Sequence, residues 1–308
     1  MWVLSSSIIM GWALGGNHAG NIFGPAVTSN VFRFRTAALV TSFFIIVGAL
    51  LEGRAGLETI GNLTGQTDTQ AFICMFSAGL VVVLMTLLKL PISTSQAVIG
   101  SVIGAGLMGS GVHWGVFTKV VICWIGTPFA AAFSSLIFYI LFSKIIKKIN
   151  PNIFQMDKII RWGLFFCCIY GAYALGANNV ANTTGVFVKS GVITPFAGLV
   201  IGSTSMALGI LTFSKRVIKT VGSSIVQLNG YAALVSLFAS SFTIHFYAAL
   251  GVPISTSQAA VGAILGIGFV KGLYLVNHKT IIRIFLAWIC SPFIAIIITM
   301  SLLFFFQS

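Results

Sequence analysis

Long apolar stretches succeed one another along almost the whole chain, and they constrain its fold more than any motif does. A membrane-crossing helix needs about 20 consecutive, mostly apolar residues. Ten stretches have that character: Trp2–Val31, Ala37–Leu51, Ala71–Leu88, Pro91–Met108, Val116–Phe142, Ile160–Val188, Ile193–Leu211, Tyr231–Leu250, Pro253–Val270 and Ile281–Phe306. Of the 308 residues 57% are hydrophobic and 7% charged, far from the roughly 25% charged residues of a soluble domain. The outer face must therefore meet lipid, where each backbone polar group needs a partner within the protein. The expectation is an all-α, polytopic membrane protein of about ten spans. Met1–Met10 lacks the basic start of a cleavable signal peptide. The five cysteines fall in apolar stretches without metal-ligand spacing and read as packing residues.

A formal net charge of +13 raises the question of a nucleic-acid partner. If all ten stretches cross, the 17 lysines and arginines divide fourteen to three between the two sides, with only Arg54, Lys119 and Lys189 on the poorer one. Basic residues collect in cytoplasmic loops, so the rich side is expected inside, with both termini outside a cell (inner) membrane. The bases lie scattered over short loops without forming a stripe, and that excludes nucleic acid as the partner.

The chain also repeats itself. Leu14-Gly15-Gly16-Asn17-His18-Ala19-Gly20-Asn21 returns 161 residues later as Leu175-Gly176-Ala177-Asn178-Asn179-Val180-Ala181-Asn182. Pro91-Ile92-Ser93-Thr94-Ser95-Gln96-Ala97 returns unchanged after 162 residues as Pro253-Ile254-Ser255-Thr256-Ser257-Gln258-Ala259. Thr59-Ile60-Gly61 with Thr220-Val221-Gly222, and Thr127-Pro128-Phe129 with Ser291-Pro292-Phe293, keep the same order. The halves, 1–150 and 151–308, each carry five stretches, an odd number, so the second enters the membrane inverted if all five cross. Re-entrant hairpins at Pro91–Met108 and Pro253–Val270 would leave four crossings per half and remove the inversion, unless a hairpin is paired with another crossing. Inverted repeats with interrupted helices at matching positions mark secondary transporters, whose site lies where the halves meet.

Two constellations carry the chemistry. Glycines and asparagines break the first stretch of each half, leaving Asn17, Asn21, Asn178, Asn179 and Asn182 to coordinate ions or to satisfy freed backbone. In the Pro-Ile-Ser-Thr-Ser-Gln segments, proline suits a first helical turn and serine its cap. Each reads as a helix N-terminus whose free amides and dipole favour an anion. The hydroxyls of Ser93, Thr94, Ser95, Ser255, Thr256 and Ser257 would add donors; plain capping of two helices is the alternative. His18 can carry a proton or pack, whereas His113, His245 and His278 lie near stretch ends and read as solvated. None of the four acids lies in a repeated motif.

The paired Gly-x-Asn-x-x-x-Asn and Pro-x-Ser-Thr elements, in matching order over nearly the whole chain, resemble the inorganic phosphate transporter family of secondary carriers. That resemblance implies an anion held between the hydroxyl-capped helix ends, with Asn17 and Asn178 beside it. His18, Asn21, Asn179, Asn182, Gln96 and Gln258 would shape the anion or coupling-ion sites. It further implies coupling to sodium or protons, no cofactor, and a homodimer. Two departures stand out. Family carriers usually read Gly-Ala-Asn-Asp, where this chain has His18 and Asn179, and Ser-Thr-Thr-His, where it has Ser-Thr-Ser-Gln twice. Without carboxylates any sodium site lacks its natural hard ligand. A carboxylate also accepts the proton that phosphate carries and repels sulfate, so its loss tilts the expectation from phosphate to sulfate, as in the family's sulfate permease branch. An anion channel is a rival reading. A membrane enzyme lacks the Gly-x-Ser-x-Gly and His-Glu-x-x-His motifs and any acid pair inside the membrane.

Overall fold

The computed structural model describes residues 2–28, 32–88, 92–221, 229–271 and 278–307; Val31, Pro91 and Gly222 of the expectations above lie outside them. The described elements are helical: α1 (Leu4–Ile22), α2 (Gly24–Thr28), α3 (Phe34–Glu52), α4 (Arg54–Gly61), α5 (Asp68–Leu87), α6 (Thr94–Ala105), α7 (Trp114–Ile149), α8 (Ile153–Asn179), α9 (Ala181–Lys189), α10 (Pro195–Val221), α11 (Gly230–Ala249), α12 (Thr256–Lys271) and α13 (His278–Gln307). A π-helical turn, Gly106–Ser110, prolongs α6. Each expected apolar stretch contains a helix, and α4 is an addition. Among the described residues seven helical segments are long and apolar enough to cross a membrane, while α6 and α12 are shorter apolar helices.

Local sequence explains the ends. Thr67 and Gln70 form a reciprocal capping box at the start of α5, as Asn152 and Gln155 do for α8. Asn229 accepts from the Ala232 amide at the start of α11. Asn150, at φ 47°, closes α7 in the left-handed conformation that asparagine tolerates. The break in α8 is gentle: Val180 stays helical and continues into α9.

Two hairpins position the site. α5 and α6 form the first, its far ends tied by the His113 amide donating to the Leu63 carbonyl (2.9 Å). α11 and α12 form the second, turning through Gly251 at φ 70°. The short arm of each lies against the long proline-containing helix of the other half, α6 on α13 and α12 on α7. Glycine permits that approach: a Cβ on Gly100 would meet the Pro292 carbonyl, and one on Gly262 the Pro128 carbonyl. Proline donates no backbone hydrogen bond, and here two close backbone approaches between the halves sit at the two helical prolines, alongside those of Gly15 to Met206, Gly48 to Tyr173, Gly176 to Ile45 and Gly209 to Trp12. Large apolar side chains face outward, among them Phe43, Phe129, Phe133, Phe293 and Phe305, as a lipid solvent requires.

Candidate functional site

The N-termini of α6 and α12 meet inside the protein. Ser93 caps α6 by accepting from the Gln96 amide (3.4 Å), and Ser255 caps α12 by accepting from Gln258 (3.3 Å). The third hydroxyl of each cluster reaches across: Ser95 donates to the Ile254 carbonyl (2.9 Å) and Ser257 to the Ile92 carbonyl (3.2 Å). The tips are thus interlocked by the same residue of each copy. Ser255 and Ser257 also share a hydrogen bond (3.0 Å).

The middle hydroxyls converge on one side chain. His18 Nε2 lies 2.7 Å from Thr94 Oγ1, and His18 Nδ1 lies 2.8 Å from Thr256 Oγ1. All three residues are buried. A neutral imidazole donates from one nitrogen and accepts at the other, so the two threonines take opposite hydrogen-bond roles. The first amides of a helix have no intrahelical backbone partner; in α6 and α12 those of Gln96 and Gln258 are taken by the serine caps. Two helix dipoles and two hydroxyls therefore converge with no fixed cation among them, an arrangement suited to an anion.

The asparagines do different jobs in the two copies. Asn178 makes a pair of bonds with one residue, donating to the Ile254 carbonyl and accepting from the Ile254 amide (3.0 Å each). It holds the second tip in place. Asn17, half-buried, donates to Thr86 on α5 (2.8 Å). Asn182 donates to both Ser95 Oγ and Asn179 Oδ1 (2.9 Å each). Asn21 lines a small crevice together with His18, Thr256, Ser240 and Ser241. Buried atoms without a partner include Gln96 Oε1, Gln258 Oε1, Asn182 Oδ1 and Asn179 Nδ2. Neutral amide oxygens suit a hard monovalent cation. Among the described residues no group of three His, Cys, Asp or Glu forms a metal site.

All the singled-out serines, threonines and glutamines gather at the tips, but Ser93, Ser95, Ser255 and Ser257 already serve as caps or cross-links, and Thr94 and Thr256 are the hydroxyls that face the centre. His18, a secondary candidate from sequence, sits at that centre. The expectation of a solvated His245 needs correction. His245 Nε2 pairs with Glu52 Oε2 at 2.8 Å and Nδ1 lies 3.0 Å from Tyr170 Oη, while Tyr173 Oη donates to Glu52 Oε1 at 2.7 Å. Helix packing brings together residues 193 positions apart, and no motif announces that.

A model described as the phosphate transporter family matches residues 14–299. The chain belongs to the phosphate transporter family. It is 31% identical to "Putative phosphate permease MJ0630" of Methanocaldococcus jannaschii, over 92% of this chain and 90% of the relative. It is 29% identical to the sulfate permease CysP of Bacillus subtilis, over 95% of this chain and 84% of that one. A solved structure described as the sodium-dependent phosphate transporter shares the fold, with a TM-score of 0.88 at 21% identity, covering 100% of this chain and 99% of that one. Membership of a transporter family and several apolar helices make the protein a multi-pass membrane protein, and a transporter in place of an enzyme.

Proposed function

We propose that this protein is a secondary transporter that binds one small tetrahedral oxyanion between the N-termini of α6 and α12 and carries it by alternating access, with sulfate preferred over phosphate and a proton or sodium ion as the coupling cation. The observation that carries the reading is the convergence of Thr94, Thr256 and two helix N-termini on a buried centre bridged by His18. The oxyanion would accept from the threonine hydroxyls and first-turn amides, and His18 would turn from bridging the threonines to lining the anion. Residues 1–150 and 151–308 would act as inverted halves in a cell membrane, both termini outside, the hairpins moving against the long helices.

Sulfate is favoured because it brings no proton that needs an acceptor and no carboxylate stands at the centre to repel it. Phosphate is the second reading: the buried oxygens Gln96 Oε1 and Gln258 Oε1 are free to accept from a protonated phosphate. Purified protein in proteoliposomes separates the two, with labelled sulfate and phosphate uptake followed under sodium and proton gradients imposed singly. The expected result is saturable sulfate uptake competed weakly by phosphate. Sodium-dependent phosphate uptake indifferent to excess sulfate would reject the preference, and absence of uptake of either would reject the function.

A further inference from the structure

Outside the hairpin tips, one cluster of ionisable groups lies between helices of both halves. Glu52 ends α3, Tyr170 and Tyr173 lie on α8, and His245 lies on α11. Both carboxylate oxygens and both imidazole nitrogens have partners within 3.0 Å. The pair is half-buried, with 36% of the Glu52 side chain and 29% of the His245 side chain exposed. The other carboxylates differ: Glu58 pairs with Arg54 and Asp157 with Arg161 one helical turn away on exposed surfaces, and Asp68 opens α5.

The internal repeat supplies a comparison within the molecule. At the offsets of the repeated motifs, Glu52, Tyr173, Tyr170 and His245 correspond to Phe213, Trp12, Ile9 and Val83. In that copy Trp12 packs on Phe213 with ring centroids 4.7 Å apart. The architecture is complete with apolar residues at one of the two repeat-related positions, so packing does not require the ionisable set at the other. Ionisable groups set into apolar helices that could have been filled otherwise mark a proton or ion pathway.

We propose that Glu52 and His245, flanked by Tyr170 and Tyr173, form a proton-binding site whose occupancy is linked to the position of the second hairpin. The proposal rests on the oxyanion-transport reading and names its coupling ion. With His245 neutral, Nε2–H donates to Glu52 and Tyr170 donates to Nδ1. On uptake of one proton Nδ1 becomes a donor, the Tyr170 hydroxyl accepts and turns its hydrogen away, and the pair passes from net −1 to neutral with every heavy-atom contact kept. The link to the anion site is short: α11 carries His245 and runs through Gly251 to the cap of α12, and α4, which follows Glu52, sends Thr59 Oγ1 to the Gly251 carbonyl. Among the described residues the groups facing the pair are Tyr170 and Tyr173 from α8. On α7, Lys119 lies near Cys123 and Cys123 near Tyr247, and on α4, Arg54 and Glu58 pair with each other.

The test uses wild type, Glu52→Gln and His245→Gln in proteoliposomes, comparing sulfate–sulfate counterflow without any gradient with uptake driven by an inward proton gradient. Both variants are expected to keep counterflow while proton-driven accumulation falls about tenfold, within the usual range of coupling between sites. Proton-driven uptake at wild-type level in either variant overturns the proposal. So does loss of counterflow in a folded variant, which would put the cluster in the anion path, and so does a wild type that counterflows but ignores the proton gradient. A wild type without counterflow would instead defeat the transport reading. Should the single variants fail to fold, the triple variant E52F/Y173W/H245V, which copies three of the four apolar residues at the repeat-related position, gives the same readouts.

Discussion

The hairpin tips and the Gly-Asn breaks come from the same repeat, yet only the tips behave as symmetric copies. At the tips, identical heptapeptides give matching caps, matching serine cross-links and matching threonines. At the breaks, His18 of the first half bridges both threonines, while its counterpart Asn179 accepts from Asn182. Asn178 grips a hairpin backbone, and its counterpart Asn17 reaches a hydroxyl on α5. Symmetry here builds a frame of two matching, interlocked tips. The departures from symmetry supply one histidine to one centre, and one Glu-His pair beside one hairpin.

The frame is broken most severely at its glycines. Gly100→Leu and Gly262→Leu each force a side chain into the backbone at Pro292 or Pro128. Loss of about 4 kcal/mol or more is expected, seen as failure to recover monodisperse protein, whereas Gly115→Ala, with nothing within 4 Å, should behave as wild type. The asymmetry of the breaks is tested next. Asn178→Ala leaves the buried amide and carbonyl of Ile254 unpaired and should cost about 2–4 kcal/mol, against about 1 kcal/mol for Asn17→Ala. Thermal unfolding in detergent compares them, and equal shifts would mean that the two asparagines do the same job.

The symmetry of the tips predicts a smaller and balanced effect. Thr94→Val and Thr256→Val should each weaken oxyanion binding about tenfold, the value of one lost hydrogen bond of about 1.4 kcal/mol. Labelled-anion binding to purified protein reads this directly, and markedly unequal losses would place the anion off the axis between the tips. The smallest effect is expected outside both regions. Glu58→Gln removes an exposed pair with Arg54 at 3.6 Å, and surface pairs of this kind contribute about 0–1 kcal/mol, so transport and melting should both stay near wild type.

Much of this frame was legible in the sequence because it depends on local chemistry. Apolar length marked the helices, proline and serine marked the starts of α6 and α12, and a shared heptapeptide related them. The paired heptapeptides also led to the expectation that the two tips meet, and they interlock through Ser95 and Ser257. What could not be read was which side chains of each cluster face the centre. That depends on helix rotation: Ser95 and Thr94 are adjacent in sequence, yet one bonds a carbonyl of the opposite tip and the other bonds His18. Glu52 and His245 stayed hidden for a related reason. Each sits near a helix end, where a polar residue is usual, and only the packing of α3 and α11 against α8 joins them.

The central claim is that one oxyanion binds between Thr94 and Thr256. Selenate, a tetrahedral analogue of sulfate with an anomalous X-ray signal, tests it in crystals of the full chain. A selenium peak within hydrogen-bond reach of both threonine hydroxyls and the first-turn amides of α6 and α12, with His18 withdrawn from its bridging position, is the predicted result. A peak elsewhere, with His18 still bonded to both threonines, would contradict it.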